Sequence, residues 1–128
     1  MPNRRSEIHM HSTFSDGEFS PEQLVNIAKE SDVDLLSLTD HDTFEGIPEF
    51  LQSAELKGIE AFPGIEITVK FHDFNIHVLA YFKNYQSIDK GLLQRVKEMK
   101  ETREKRMVEL IKRVDRVIPE KFRGLIEF

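Results

Sequence analysis

Two short segments with the pattern of β-strands, each followed by the start of a helix, constrain the fold of this chain more than any other feature. Residues 7–12 alternate apolar and polar side chains, which predicts a strand, and residues 33–40 are apolar enough for a strand covered on both faces. Ser20 begins a capping-box sequence, and Asp42 is predicted to cap a second helix that stops at Gly58. This alternation predicts a mainly parallel sheet with right-handed crossovers.

The rest of the chain adds a hairpin and a long helix. Residues 59–70 are predicted as a third strand interrupted at Pro63, residues 71–75 as a turn, and residues 76–82 as a fourth strand. Residues from about 88 to 117 have the period of a very polar helix with an intermittent apolar stripe. The predicted order is therefore β-α-β-α-β-β-α, an α/β fold in which functional residues gather at the carboxyl ends of strands.

Size and composition limit the classes of function. The 128 residues predict a single domain, and the absence of cysteine excludes disulfides and thiolate metal sites. A net charge of −5 argues against a general nucleic-acid or membrane-surface binder, but it is compatible with a small phosphorylated substrate. The sequence contains neither a signal peptide nor a membrane-spanning apolar run, so a cytoplasmic location is the expectation.

Metal-ligand residue types recur where the predicted strands end. His9 and His11 share one face of the first strand, since side chains two positions apart point the same way. Asp16 lies in the following turn, and His41 follows the second strand. The set of candidate metal ligands at this rim is His9, His11, Asp16, His41, Glu66 and His77. Imidazole and carboxylate ligands suit Zn²⁺, Mn²⁺ or Fe²⁺, and six candidates indicate more than one ion.

Each of these residues also has an ordinary structural interpretation. A lone strand histidine is usually structural, Asp16 is a common turn residue, and Glu66 is compatible with a surface charge. Asp40 is either a residue that orients a ligand or an ordinary strand-end residue, and His72 is expected in solvent. It is the joint pattern, with four of the five histidines at one rim, that favours a metal site.

The basic residues of the long helix are interpreted as a solvated face. Arg103 and Arg106 would be able to hold an anion, but their spacing does not indicate it. The sequence has no Walker-type glycine-rich loop, no H-E-x-x-H and no G-x-S-x-G motif, so these nucleotide-binding, metalloprotease and serine-hydrolase classes are not indicated.

Four segments in succession resemble the PHP (polymerase and histidinol phosphatase) family. They are HMHSTFSDG, SPEQLVNIAKESDVDLLSLTDHDT, the residues around FPGIEI, and HVLAYF, and the match spans roughly residues 7–82. The later segment ETREKRMVELIKRV resembles the family's arginine-rich helix less specifically. The resemblance implies a distorted (β/α)7 TIM-like barrel that holds two or three Zn, Mn or Fe ions and hydrolyses phosphomonoesters or phosphodiesters with a metal-activated water.

The family's metal ligands carry over position by position. His9 and His11 match the first metal-binding pair, and Asp16 matches the ligand in the next loop. His41 matches the histidine of Thr-Asp-His-Asp, Glu66 matches the bridging carboxylate, and His77 matches the ligand in the strand that follows. The resemblance implies no catalytic residue separate from these ligands, and it does not identify a general acid.

The chain departs from the family in length. Family members continue further and supply another histidine and a late Asp-x-His pair, whereas no histidine follows His77 here. Residues 1–128 are therefore expected to form the N-terminal portion of a PHP-like domain, a partial (truncated) barrel that self-associates to cover its open side. The alternative to a metal-dependent phosphoesterase is a metal-binding but catalytically inactive fragment or an oligomerising module.

Overall fold

The structure, a computed structural model, describes residues 4–120 and has the strand and helix order that the sequence predicts. A short 3₁₀ turn, Tyr85–Ser87, precedes the last helix. The elements are β1 (Ser6–Met10), α1 (Pro21–Glu30), β2 (Leu35–Leu38), α2 (Ile47–Lys57), β3 (Glu60–Phe71), β4 (Phe74–Tyr81) and α3 (Lys90–Val117).

The four strands form one sheet in the order β1-β2-β3-β4. The first three strands are parallel, as α1 and α2 each return the chain to the same end, and β4 is antiparallel to β3. The Tyr81 hydroxyl on β4 donates a hydrogen bond to the Ile8 carbonyl on β1 at 2.9 Å, although two strands lie between them in the sheet. The sheet is therefore curled, and the α/β fold is a partial barrel, as expected.

The first helix begins as the sequence predicts. The Ser20 hydroxyl accepts from the Gln23 N–H at 3.2 Å, and the Gln23 side chain accepts from the Ser20 N–H at 2.9 Å, which completes the capping box. The helix packs through Val25 and Ala28, which are buried. Ile27 on the same helix is 43% exposed, because only a narrow stripe of α1 faces α2 and the sheet.

The predicted capping role of Asp42 is wrong. Helix α2 begins at Ile47 after Gly46, and no side chain caps it. Asp42 instead has a left-handed backbone with φ of 50°, and its buried carboxylate accepts the Thr68 N–H of β3 at 2.7 Å. The bond to the neighbouring strand draws the aspartate away from the helix. The end of α2 was predicted correctly, with Gly58 in the left-handed region.

The interruption predicted in the third strand is also absent. Strand β3 runs through Pro63, whose carbonyl accepts the Phe82 N–H at 2.9 Å. At the next position a side chain would not fit, because a Cβ on Gly64 would lie 2.6 Å from the Ser37 hydroxyl of β2. The glycine therefore allows close strand packing rather than a break. The turn that follows contains only His72 and Asp73, so it is shorter than predicted.

The core lies between the sheet and the helices α1 and α2, and its most buried side chains include Val25, Leu36 and Phe50. Helix α3 contributes less than its predicted apolar stripe indicated. Val96 is its only buried residue among those described, whereas Met107 and Leu110 are 43% and 53% exposed. Within residues 4–120, no helix is both long and apolar enough to cross a membrane.

Candidate metal centre

The buried carboxylate of Glu66 on β3 lies at the centre of the rim. Its Oε2 atom is 2.8 Å from His9 Nε2 and 3.1 Å from His11 Nε2. Its Oε1 atom is 3.4 Å from His77 Nδ1. Chain geometry explains the arrangement, since His9 lies on β1 and His11 directly follows it two positions later, and His77 is on the strand that pairs with β3. Both carboxylate oxygens therefore face imidazoles.

His41 joins the group through the backbone beyond β2. The Asp42 N–H donates to the Glu66 carbonyl at 3.0 Å, and the Glu66 N–H donates to the Asp40 carbonyl at 3.2 Å, which fixes His41 beside β3. The His41 ring stacks on the His11 ring with 4.4 Å between centroids, and its Nδ1 lies 3.9 Å from Glu66 Oε2. This bridge holds the imidazole over the cluster although β2 has already ended.

Asp16 approaches the cluster from the loop after β1. Its two oxygens lie 3.5 Å from His11 Nδ1 and 3.6 Å from His41 Nε2. The loop folds back tightly, since a Cβ on Gly17 would lie only 2.0 Å from the His11 carbonyl oxygen. Glycine at this position lets the loop bring an otherwise exposed carboxylate over the two rings.

The six predicted ligands form three overlapping groups, each able to hold one ion. The groups are His9 with His11 and Glu66, His11 with Asp16 and His41, and His41 with Glu66 and His77. In each group, one ligand atom from every residue lies within 4.8 Å of the others. Any two groups share one residue, as expected of a compact multinuclear site.

Two imidazole nitrogens support a metal-binding role for the cluster. His11 Nδ1 and His41 Nδ1 are buried and have no hydrogen-bond partner among the described residues. Buried polar atoms without partners are rare in folded proteins, and a bound ion is one way in which such atoms are satisfied. The imidazole and carboxylate donors suit Zn²⁺, Mn²⁺ or Fe²⁺, so these residues fit a divalent metal.

The electrostatics of Glu66 keep it ionised. Burial by itself raises the pKa of this carboxyl, but the hydrogen bond with His9 and the charges of His41, His9 and His11 outweigh burial. The net effect lowers the pKa of Glu66 below its ordinary value. A carboxylate in this state offers both oxygens as acceptors to cations on either side.

Asp40 organises the loop that carries Asp16. This aspartate is buried, and its Oδ1 accepts from the Ser12 N–H and the Ser15 hydroxyl, both at 2.6 Å. Its Oδ2 accepts from the Ser12 hydroxyl at 2.7 Å. Asp40 makes no described hydrogen bond to a histidine, so it positions the loop rather than a ligand ring. The sequence signal for this role was an acidic residue directly after an apolar predicted strand.

Sequence reasoning missed the contribution of α3 to the site. The guanidinium of Arg103 pairs with the buried Asp42 carboxylate, and Lys100 Nζ lies 2.6 Å from Glu45 Oε2. The two ion pairs hold α3 over the rim. A cavity of about 460 Å³ lies beneath the helix. Its lining includes Asp16, His41, His77, Lys100 and Arg103. His72 lies outside it, exposed at the hairpin turn as expected.

The chain belongs to the PHP family, because the PHP domain model matches residues 7–127. A 5'-3' exoribonuclease of Haemophilus influenzae is 34% identical over 122 residues, which cover 94% of this chain and 44% of the relative. A 3',5'-nucleoside bisphosphate phosphatase of Chromobacterium violaceum is 30% identical over 102 residues, which cover 73% of this chain and 36% of the relative.

Solved structures have the same fold. A predicted metal-dependent phosphoesterase from Bifidobacterium adolescentis superposes with a TM-score of 0.79 at 28% identity. The superposition covers 92% of this chain and 41% of the phosphoesterase chain. An amidohydrolase from Chromobacterium violaceum, solved with bound sulfate and no metal, superposes with a TM-score of 0.74 at 28% identity. The superposition covers 82% of this chain and 36% of the amidohydrolase chain. The chain thus spans less than half the length of these relatives.

Proposed function

We propose that this chain carries the N-terminal part of the active site of a metal-dependent phosphoesterase, which hydrolyses a phosphomonoester or phosphodiester with a metal-activated water. The observation that carries the proposal is the set of three overlapping ligand groups, two of which contain Glu66. Membership of the PHP family and the names of the phosphatase and phosphoesterase relatives support it. We also propose that residues 1–128 form one PHP-like domain portion, organised around a single core.

The proposed metal ligands are the six residues of the cluster, and two or three Zn, Mn or Fe ions are proposed for a complete site. These ligands are His9, His11, Asp16, His41, Glu66 and His77. Bound divalent ions would supply hydroxide near neutral pH and stabilise charge on the phosphoryl oxygens.

The chain's own residues prepare the site in three ways. Glu66 remains ionised and is oriented by its hydrogen bond with His9. Asp40 fixes the loop of Asp16, and Arg103, paired with Asp42, holds α3 against the cavity that it lines. We propose no catalytic residue separate from the metal ligands, and no general acid is assigned.

A metal-binding but inactive fragment is the second candidate. The cluster is open on one side, since the His9 and His77 side chains are 48% and 51% exposed. Exposed ligands hold a reactive geometry less rigidly than buried ones. In this case metal would bind without turnover.

Metal analysis combined with hydrolysis assays separates the candidates. The purified chain is loaded with Mn²⁺ and assayed on a nucleoside 3',5'-bisphosphate, with chelated protein as the blank. Binding with metal-dependent release of phosphate supports the phosphoesterase, and binding without release supports the inactive fragment. The double variant His9→Ala, His11→Ala should lose bound metal, whereas His72→Ala, at an exposed histidine outside the cluster, should retain it. Equal metal content in both variants would contradict the proposed ligand set.

The partners proposed for the chain are a small phosphorylated substrate and a second copy of itself, in the cytoplasm and without a membrane. The net charge of −5 argues against a general nucleic-acid binder, and the relatives support that expectation only in part, because one of them is named as an exoribonuclease. The distribution of charge along the chain bears directly on this question.

A further inference from the structure

Helix α3 is positively charged, although the chain as a whole has a negative net charge. It contains ten of the 18 lysines and arginines but only five of the 23 acidic residues. The helix therefore has a formal charge of +5, while the remainder of the chain has −10. Polyanion binding depends on local clusters of positive charge, so the whole-chain value does not exclude it.

Three arginines of α3 form a row on one side of the helix. Arg95, Arg106 and Arg113 are separated by eleven and seven residues, which places them within about 20° of one another at 3.6 residues per turn. The side chains of Arg95 and Arg113 are 75% and 76% exposed, and Arg106 is exposed as well. We call these three residues the arginine row.

The acidic neighbours of the row leave its guanidinium groups accessible. Glu98 lies 3.7 Å from Arg95, and Glu109 lies 3.7 Å from Arg113. Both pairs are at the surface, where ion pairs are weak because water screens them. Arg106 makes no described ion pair. A phosphate would therefore compete for these side chains without breaking a strong interaction.

The arginine row is continuous with the candidate metal centre. Arg103 lines both the cavity at the centre and the surface formed by the row, and Lys100 lines the same cavity one turn earlier. The cavity has a volume of about 460 Å³, within the range of sites that bind one small molecule. A substrate too large for this volume must extend across the protein surface, and α3 contributes Lys100, Arg103 and Glu104 to the cavity lining.

We propose that α3 binds the phosphate backbone of a single-stranded nucleic acid whose terminal nucleotide enters the cavity. The location of the reaction rests on the function proposed above, but the binding surface rests on the charge and exposure of α3. The helix has no aromatic residue on which bases would stack, so contacts to phosphates carry the binding. Binding of this kind is independent of sequence and weakens steeply with salt.

Fluorescence anisotropy in the presence of a chelator tests the proposal without catalysis. The probes are a labelled single-stranded oligonucleotide of about ten nucleotides and, as competitor, a mononucleotide, at a series of salt concentrations around 0.1 M. The oligonucleotide should bind at least about tenfold more tightly than the mononucleotide, because only it reaches the row.

Two triple variants with the same loss of charge identify the surface. Replacing the row (Arg95→Gln, Arg106→Gln, Arg113→Gln) should weaken oligonucleotide binding about tenfold or more and reduce the salt slope by about two units, at about 0.7 per phosphate contact. The control, Lys90→Gln, Lys97→Gln, Lys112→Gln, removes exposed charge that lies about 100° or more around α3 from the row and should change binding much less.

Three results would overturn the proposal. The first is equal weakening of oligonucleotide binding in the two variants, which indicates general electrostatic attraction only. The second is equal affinity for the oligonucleotide and the mononucleotide. The third is no binding of the oligonucleotide. Failure of metal-dependent hydrolysis would leave these measurements unaffected, because they need no metal. The proposed activity and the proposed surface therefore fail separately.

Discussion

Arg103 of α3 forms an ion pair with Asp42, a carboxylate that is almost completely buried between the end of β2 and β3. The same carboxylate accepts the Thr68 N–H, and the Asp42 N–H donates to the Glu66 carbonyl. One aspartate thus connects the long helix, the strand that carries the central carboxylate, and the segment of His41.

Removing Arg103 should destabilise the fold. Arg103→Ala leaves the buried Asp42 carboxylate with one described hydrogen bond, and the expected loss is about 1–3 kcal/mol in the free energy of unfolding. Arg106→Ala removes an exposed arginine one turn further along and should change stability by about 0.5 kcal/mol or less. Urea denaturation followed by circular dichroism measures both. Equal urea midpoints for the two variants would show that the ion pair between Arg103 and Asp42 contributes nothing to stability.

Replacing Asp40 should disorganise the loop over the metal centre. Asp40→Asn keeps one acceptor oxygen but loses the second, so the hydrogen bonds to Ser12 and Ser15 cannot all form. The expected cost is about 1–3 kcal/mol, together with weaker metal binding because Asp16 is no longer held over His11. Calorimetric titration with Mn²⁺ measures the affinity. Unchanged metal affinity in a destabilised variant would limit Asp40 to a structural role.

The metal-free protein should lose stability in acid through Glu66. Its pKa is lowered in the folded state, so the folded form binds fewer protons than the unfolded form at acidic pH. The stabilisation is present above the ordinary value of 4.5 and is lost as the pH falls through the lower folded value. Glu66→Gln should flatten this part of the stability profile, whereas Glu55→Gln, on the exposed side of α2, should not. Identical acid-unfolding curves for wild type and Glu66→Gln would contradict the assignment.

Tyr81 should ionise at higher pH than an ordinary tyrosine. Burial, Glu66 and Glu7, in that order, raise the pKa of its hydroxyl, which also donates to the Ile8 carbonyl. Absorbance of tyrosinate in an alkaline titration measures this, and Tyr81→Phe identifies its contribution against that of Tyr85. Loss of the hydrogen bond between β4 and β1 should also reduce stability by about 0.5 kcal/mol. A normal titration of Tyr81 would contradict the proposed effect of burial and the two glutamates on its hydroxyl.

The exposed face of the β3–β4 hairpin should promote self-association. Phe71 and Phe74 pair across the turn and are 60% and 71% exposed. The double variant Phe71→Ser, Phe74→Ser should reduce association in sedimentation velocity, whereas Leu56→Ser, at an isolated exposed position on α2, should not. A wild-type protein that stays monomeric at high concentration would rule out self-association through this face.

The sequence predicted the local elements well where a local signal exists. The capping box at Ser20 and the glycine after α2 act within a few residues, so both were recognised. The failures at Asp42 and Pro63 share a cause. In each case the outcome depended on a neighbouring strand, since Asp42 bonds to β3 and Gly64 packs against Ser37 of β2. Local propensity does not report such contacts.

The sequence by itself determined the strand and helix order and the identity of the six residues at the rim. Strand alternation and the common end of the parallel strands place His9, His11 and His41 near one rim, whereas His77 comes from the antiparallel β4 and Asp16 from a loop. Only the tertiary structure decided that Asp40 and Asp42 serve the loop and α3, and that an exposed row of arginines extends from the candidate metal centre. These relationships join residues that are far apart in the chain, and folding alone sets their distances.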